Sequence, residues 1–301
     1  MSAVFRGAGL FPAIGLAILL DCLAVGNPGR AAAETPTPQT PALQRQAWLD
    51  DYAAAMRLAE KHGRMMLIHF RDAGLSPQFD AVLGDPAVQE KLKDYVRVQL
   101  PLDAKIRVQG EPVELLRHPA FAEMLGLPGL AIIDYAHRGE AIHGAVVSVF
   151  PFLDGRIYGV EETRVILDLP PGTLTQRTMV FAVRTHPERP ASVAGPQDAN
   201  LLAEAESHSA YQAQIGVQGH HGWDYRFQRI NSRLPGGCLS YEVCAESWPG
   251  QGLLHSAIEC VRCWRLSSGH WRSVASPCQA YGYDIKRGRN GIWYATGIFG
   301  R

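Results

Sequence analysis

Between Trp48 and Asp134 the chain alternates segments of helical period with short apolar runs of strand length. "AWLDDYAAAMRLAEKHGR" sets Trp48, Tyr52, Ala55, Met56 and Ala59 at helical spacing, and Gly63 follows as a stop. "MMLIHF", Met65 to Phe70, is an apolar run that suits a buried central strand. "GDPAVQEKLKDY" reads as a second helix and "VRVQLPLD" as a second strand. Two strands joined by a helix pair in parallel, because the crossover returns the chain to the same end of the sheet. A helix in "HPAFAEM", a Leu-Pro turn, a strand over Leu130 to Asp134, a "HRGE" turn and a further strand complete the series. Such an order predicts an α/β fold.

The rest of the chain has room for a second domain. It has 301 residues, 47% of them hydrophobic and 19% charged, which is enough apolar material for real cores and excludes wholesale disorder. The formal net charge is zero, so the basic footprint of a nucleic-acid binder is missing. Arg287 and Arg289 read as a solvated hairpin turn.

Residues 1–33 read as a signal peptide: Arg6, then the apolar "GLFPAIGLAILLDCLAVG", then a small-residue cleavage site at "AAAE". Pro12 and Asp21 spoil the stretch as a membrane span, and Asp21 is a poor neighbour for lipidation at Cys22. The expected location is secreted, periplasmic or in the cell envelope, with an uncleaved anchor as the alternative. Cysteine usage agrees. Without Cys22, the chain keeps Cys238, Cys244, Cys260, Cys263 and Cys278, all within the last 64 residues, a cluster that reads as a disulfide framework with one thiol left over. Their pairing stays open. Cys260 and Cys263 form C-x-x-C inside a helical pattern, which suits neither a zinc knuckle nor a redox motif.

The expected layout has four parts after the signal. Residues 34–43, "ETPTPQTPAL", form a proline-threonine linker, and 44–170 an α/β domain. A connector over 171–197 contains "TMVFAVRTHPERP", read as a strand and a proline-rich loop. A cysteine-containing domain over 198–301 opens on a helix capped by Asp198, with Leu201, Leu202, Ala205, His208 and Ile215 near helical spacing.

The first of these domains resembles the exported thioredoxin-like proteins, through "DYAAAMRLAEKHGRMMLIHFRD", "DPAVQEKL", "YVRVQLPLD" and "LGLPGLAIID" over about residues 44–160. The resemblance implies a thioredoxin fold with Pro128 as the cis-proline facing the active dithiol. The dithiol itself is missing. "RDAGLSPQF" stands in its place, and no cysteine occurs between Cys22 and Cys238. Dithiol exchange needs a thiolate, so this domain is redox-inert and not a thiol-disulfide oxidoreductase on its own. Ser76 and Pro77 read as turn and helix-start residues.

Near the carboxyl end, "GLLHSAIECVRCWRL" carries Leu253, Leu254, Ala257, Ile258, Val261 and Trp264 on one helical stripe. "SSGHWRS" then breaks it, and "CQAYGYDI" and "GIWYATGIF" read as strands joined by a turn at Asn290-Gly291. Trp264, Ser267, Gly269 and His270, with Trp293, Tyr294, Thr296, Phe299 and Gly300, resemble the carboxyl half of the CAP superfamily, the cysteine-rich secretory, antigen 5 and pathogenesis-related proteins. The resemblance implies an α-β-α sandwich with a cleft of two histidines and two acids. By position these are His270, Glu246, His221 (with His220 a rival) and Glu259. His221, His270 and Glu246 would be the metal ligands, since neutral imidazoles and a carboxylate suit zinc. Against that cleft stand plainer roles, His270 packed beside Trp271 and Glu259 turned to water.

No H-E-x-x-H helix or Ser-His-Asp spacing accompanies the set. The leading expectation is an exported two-domain adaptor that binds a protein, lipid or envelope polymer. The alternative is a metal-dependent peptide or ester hydrolase, and a third reading is a crosslink through the odd thiol.

Overall fold

The computed structural model describes residues 47–108 and 110–301; the expected signal peptide and linker lie outside the described residues. Helix α1 (Tyr52–His62) starts where the Asp51 carboxylate accepts the Ala54 N–H and stops at Gly63, which takes the left-handed φ of 58° that favours glycine. Strand β1 (Met65–Arg71) follows, then α2 (Ser76–Leu83), α3 (Pro86–Leu92) and β2 (Tyr95–Pro101). Ser76 and Pro77 do open a helix, with the Asp72 carboxylate accepting from the Leu75 and Ser76 N–H groups. A small hairpin, β3 (Lys105–Val108) and β4 (Glu111–Glu114), leads into a 3-10 turn over "PAFAEM" and then β5 (Gly129–Ile133) and β6 (Val146–Pro151).

These strands make a mixed sheet in the order β2-β1-β5-β6, with β1 and β2 parallel as expected and β5 and β6 antiparallel to their neighbours. Period-2 alternation divides β1 between two faces. Met66, Ile68 and Phe70 pack with Ala55 and Ala59 of α1, while Leu67 packs with Phe79, Leu83, Val88 and Leu92 of α2 and α3. The expected cis-proline is corrected: no cis peptide bond occurs among the described residues, Pro128 included. Leu125 and Gly126, both left-handed, reverse the chain before it, so the loop turns without one.

After α4 (Val160–Leu167) a second expectation fails. "TMVFAVRT" is not a strand but α5 (Leu174–Arg184), started by a reciprocal capping box between Thr173 and Gln176. Its apolar run is buried all round, which hides the helical period that sequence patterning reads. Helix α5 packs on β6 on one side and on the second half of the chain on the other. Arg177, fully buried, donates to Ser148 of β6 and to the carbonyls of Leu169 and Pro170.

The second half contains α6 (Ala199–Ile215), α7 (Trp223–Asn231), β7 (Ser240–Glu246), α8 (Leu253–Leu266), α9 (Ser268–Ala275), β8 (Ala280–Arg287) and β9 (Trp293–Gly300). The expected Asp198 cap is in place, its carboxylate accepting the Leu201 N–H. The strands form an antiparallel sheet ordered β7-β9-β8. Tyr281, Tyr283, Trp293 and Phe299 turn toward Trp264 of α8 and the side of α5. Ile298 and Gly282 turn toward α6, which sits so close that a Cβ at Gly282 would lie 2.3 Å from the backbone of Leu201.

The described residues form one compact unit, and one apolar cluster runs from Leu67 and Phe79 through Met179 and Phe181 to Trp264 and Tyr283. The fold is therefore α/β with two sheets sharing a core through α5. Glu123, in the first half, accepts the Leu253 N–H and caps α8, whose N-cap Gly252 has no side chain to do so. The five described cysteines are free thiols, and among the described residues no helix is long and apolar enough to cross a membrane.

Candidate functional site

Strand β7 decides where the polar groups collect. "SYEVCAE" sends Val243 and Ala245 into the core, and Ser240, Glu242, Cys244 and Glu246 to the opposite face by strict alternation. Opposite that face, α6 carries His208, Ser209 and Gln212, all buried. Gln212 donates to Thr296 and accepts from the Gly219 N–H, which shapes the loop joining α6 to α7. Gly216 and Gly222, with φ of 70° and 62°, make the loop's two reversals. His220 is held between them.

His220 and His270 meet beside β7 from elements fifty positions apart in sequence. His220 Nδ1 lies 2.9 Å from Glu242 Oε1, and His220 Nε2 lies 3.2 Å from His270 Nε2. His270 is on α9, which starts after Ser267 leaves helical geometry, so the "SSGHWRS" break is followed by a fresh helix. Arg226 of α7 donates to Glu242 Oε2, and the Glu242 side chain is only 1% exposed.

The charges follow from this packing. Burial alone would raise the Glu242 carboxyl, but hydrogen bonds from His220 and Arg226 and the Arg226 charge outweigh it and hold it below the usual range. Burial lowers the His270 imidazole and the nearby His220 works in the same direction, while Glu242 opposes them. His208 is lowered by burial too, against the pull of Glu242. An ionised carboxylate can only accept, so His220 Nδ1 carries the proton; in the neutral ring Nε2 then presents a lone pair toward His270.

This arrangement supplies two of the three or four protein donors a zinc site takes, and as it stands the two Nε2 atoms are in hydrogen-bond contact. Two imidazole nitrogens bound to one tetrahedral zinc at 2.0–2.1 Å stand about 3.3 Å apart, close to the separation found here. A carboxylate on the far nitrogen of a ligating histidine, as Glu242 is on His220, fixes the ring and its tautomer. His208, Glu242 and Cys244 also lie together, with ligand atoms within 4.8 Å of one another. That trio fits less well. His208 Nε2 is 2.9 Å from the Gly219 carbonyl, which can only accept, so the nitrogen facing Glu242 bears a proton. Burial and Glu242 push the Cys244 thiol well up, away from the thiolate a metal needs.

Of the four residues the resemblance places by position, only His270 enters this cluster, joined by the rival His220. His221 Nε2 donates to the Val217 carbonyl, and its ring packs near His208 and Tyr211, so its rival His220 occupies the place beside His270. Glu246 is exposed four residues along β7 from Glu242, roughly 13 Å at strand rise, and its charge acts on Cys260 and Cys263 instead. Glu259 pairs with Arg262 at 2.6 and 2.8 Å on its own helix; the Arg262 hydrogen bonds hold it low. Sequence reasoning passed over Glu242, although the alternation of "SYEVCAE" marks it as the residue on the face of β7 away from Val243.

Compared with known proteins, the chain matches no family model and no curated protein.

Proposed function

We propose that this chain is an exported binding protein of the cell envelope or extracellular space, and that its site is a divalent-cation centre at His220 and His270. The observation that carries the reading is the pair of imidazole Nε2 atoms 3.2 Å apart, one of them oriented by a buried carboxylate. The sheet order β2-β1-β5-β6, with one parallel and two antiparallel pairings, supports a thioredoxin-like first half without its dithiol. Helices on both faces of β7-β9-β8 support a CAP-like α-β-α second half. A bound ion there would supply a Lewis-acidic anchor for a protein, lipid or envelope polymer. His220 and His270 would hold the ion, Glu242 orients His220, and Arg226 keeps Glu242 ionised.

Hydrolysis of a peptide or ester is the second reading, favoured by the same two imidazoles. It needs a carboxylate free to take a proton, and Glu242 has one oxygen on His220 and the other on Arg226. Binding therefore has the better support. Calorimetric titration of the full chain with zinc tests the proposal: one ion at micromolar affinity or tighter, lost in His220→Ala and in His270→Ala, is the expected result. Absence of binding, or binding unchanged in both variants, sinks it. Ester hydrolysis by the zinc-loaded protein that disappears in Glu242→Gln would favour the second reading.

A further inference from the structure

Beside the histidine pair, but sharing neither of its rings, an open cavity of about 330 Å³ lies between α6 and α7. His208 and Tyr211 of α6 line one side, Tyr225, Arg226 and Arg229 of α7 the other, and His221 stands among them. No lining residue is acidic. The carboxylates that balance the two guanidiniums are buried: Glu242 takes Arg226, and Glu204 takes Arg229 through both of its oxygens. A solute entering the cavity thus meets positive groups and reaches neither acid.

Arg226 supplies a second, independent observation. It is 8% exposed, Glu242 engages its Nη2, and its Nη1 is buried with no hydrogen-bond partner. A buried guanidinium N–H left unpaired is unfavourable, so an acceptor that reached Arg226 Nη1 from the cavity would relieve it. Neither His208 nor His221 fills that acceptor role: each directs Nε2 at a backbone carbonyl, and Arg226 Nη1 has no hydrogen-bond partner. Tyr211 and Tyr225 add rings that are 47% and 72% exposed, an apolar surface on which a flat group can rest.

We propose that this cavity binds a small carboxylate borne on an aromatic or apolar ring, the carboxylate taken by Arg226 and the ring by the two tyrosines. Its volume sits at the small end of ligand sites, which suits a single-ring acid rather than a polymer segment. The proposal names a ligand class for the binding reading, but it stands on α6 and α7 and not on the metal.

Ligand-observed NMR on the full chain with benzoate as the probe, in the presence of EDTA, tests it without the metal. Saturable binding is expected, with benzyl alcohol weaker by about ten-fold or more, since it lacks the charge-assisted bonds. Arg226→Met should abolish binding. Because that change also frees Glu242, Tyr225→Ala, on an exposed ring, is the second variant and should weaken benzoate several-fold with the fold intact. Equal binding of benzoate and benzyl alcohol overturns the proposal, as does benzoate binding unchanged in both variants. So does inorganic phosphate competing as well as benzoate, which would leave a simple anion hole. Failure of zinc titration with benzoate binding intact would remove the metal centre and leave this site standing.

Discussion

His69 makes stability depend on acid in a way that can be worked from its surroundings. Its ring is fully buried on β1, edge-on to Phe79, Phe152 and Trp48, and neither nitrogen has a hydrogen-bond partner. Burial, helped by the Arg71 charge, lowers its pKa from 6.5 to about 4, against the opposing pull of Asp80 and Asp72. The folded state thus resists a proton that the unfolded chain accepts. Stability from this group is full above pH 6.5, falls as pH drops toward 4, and is lost below that. At about 1.36 kcal/mol for each pH unit, the total loss is about 3.4 kcal/mol. His69→Leu, similar in volume and apolar, should remove it. It should also stabilise the protein at pH 7 by about 1–3 kcal/mol, since two unpaired nitrogens leave the core. Urea unfolding followed by tryptophan fluorescence at pH 7.5 and pH 4 reads both effects. Comparing variant with wild type cancels other titrating groups, and the gap between them should widen by about 3 kcal/mol on acidification. An unchanged gap, or a His69 ring proton titrating near pH 6.5 by NMR, would refute the reasoning.

Other outcomes follow from the same contacts. Gly282→Ala puts a Cβ 2.3 Å from the α6 backbone, so it should cost at least about 2–3 kcal/mol in urea unfolding or prevent folding; a neutral result would mean that α6 does not seat on β8 as described. Glu123→Ala removes the cap that the first half supplies to α8 and should cost about 1 kcal/mol, measured by thermal unfolding, whereas Glu123→Asp should recover part of it only if the shorter chain still reaches Leu253. Arg177→Met leaves Ser148 and two carbonyls without their buried donor, and a loss of about 3 kcal/mol is expected by the same assay.

What could be read from the sequence was mostly local. The helix at 52–62 announces itself through its apolar spacing and Gly63, and the β8–β9 hairpin through Asn290-Gly291, because each signal lies within a few residues of the geometry it sets. Helix α5 was obscure for a physical reason: wedged between two sheets, it is apolar on nearly every side, and an unstriped apolar run suits a strand equally well. The shared core was hidden for the same reason, since a proline-flanked buried helix looks like a connector. At the site, His270 stood out by its motif, but choosing between His220 and His221 required the loop itself. Neighbouring residues in a glycine-rich loop point in directions fixed by the left-handed Gly216 and Gly222 and by the Gln212 contact to Gly219. Glu242 went unseen because a buried acid is expected to be rare, and its partners His220 and Arg226 lie on other elements.

Cobalt(II) absorption of the full chain tests the central claim most directly, because visible d–d bands report the ligands and geometry of the ion itself. The account predicts tetrahedral-type bands for the wild type and for His221→Ala, and their loss in His220→Ala. Bands retained in His220→Ala, or lost in His221→Ala alone, would contradict it.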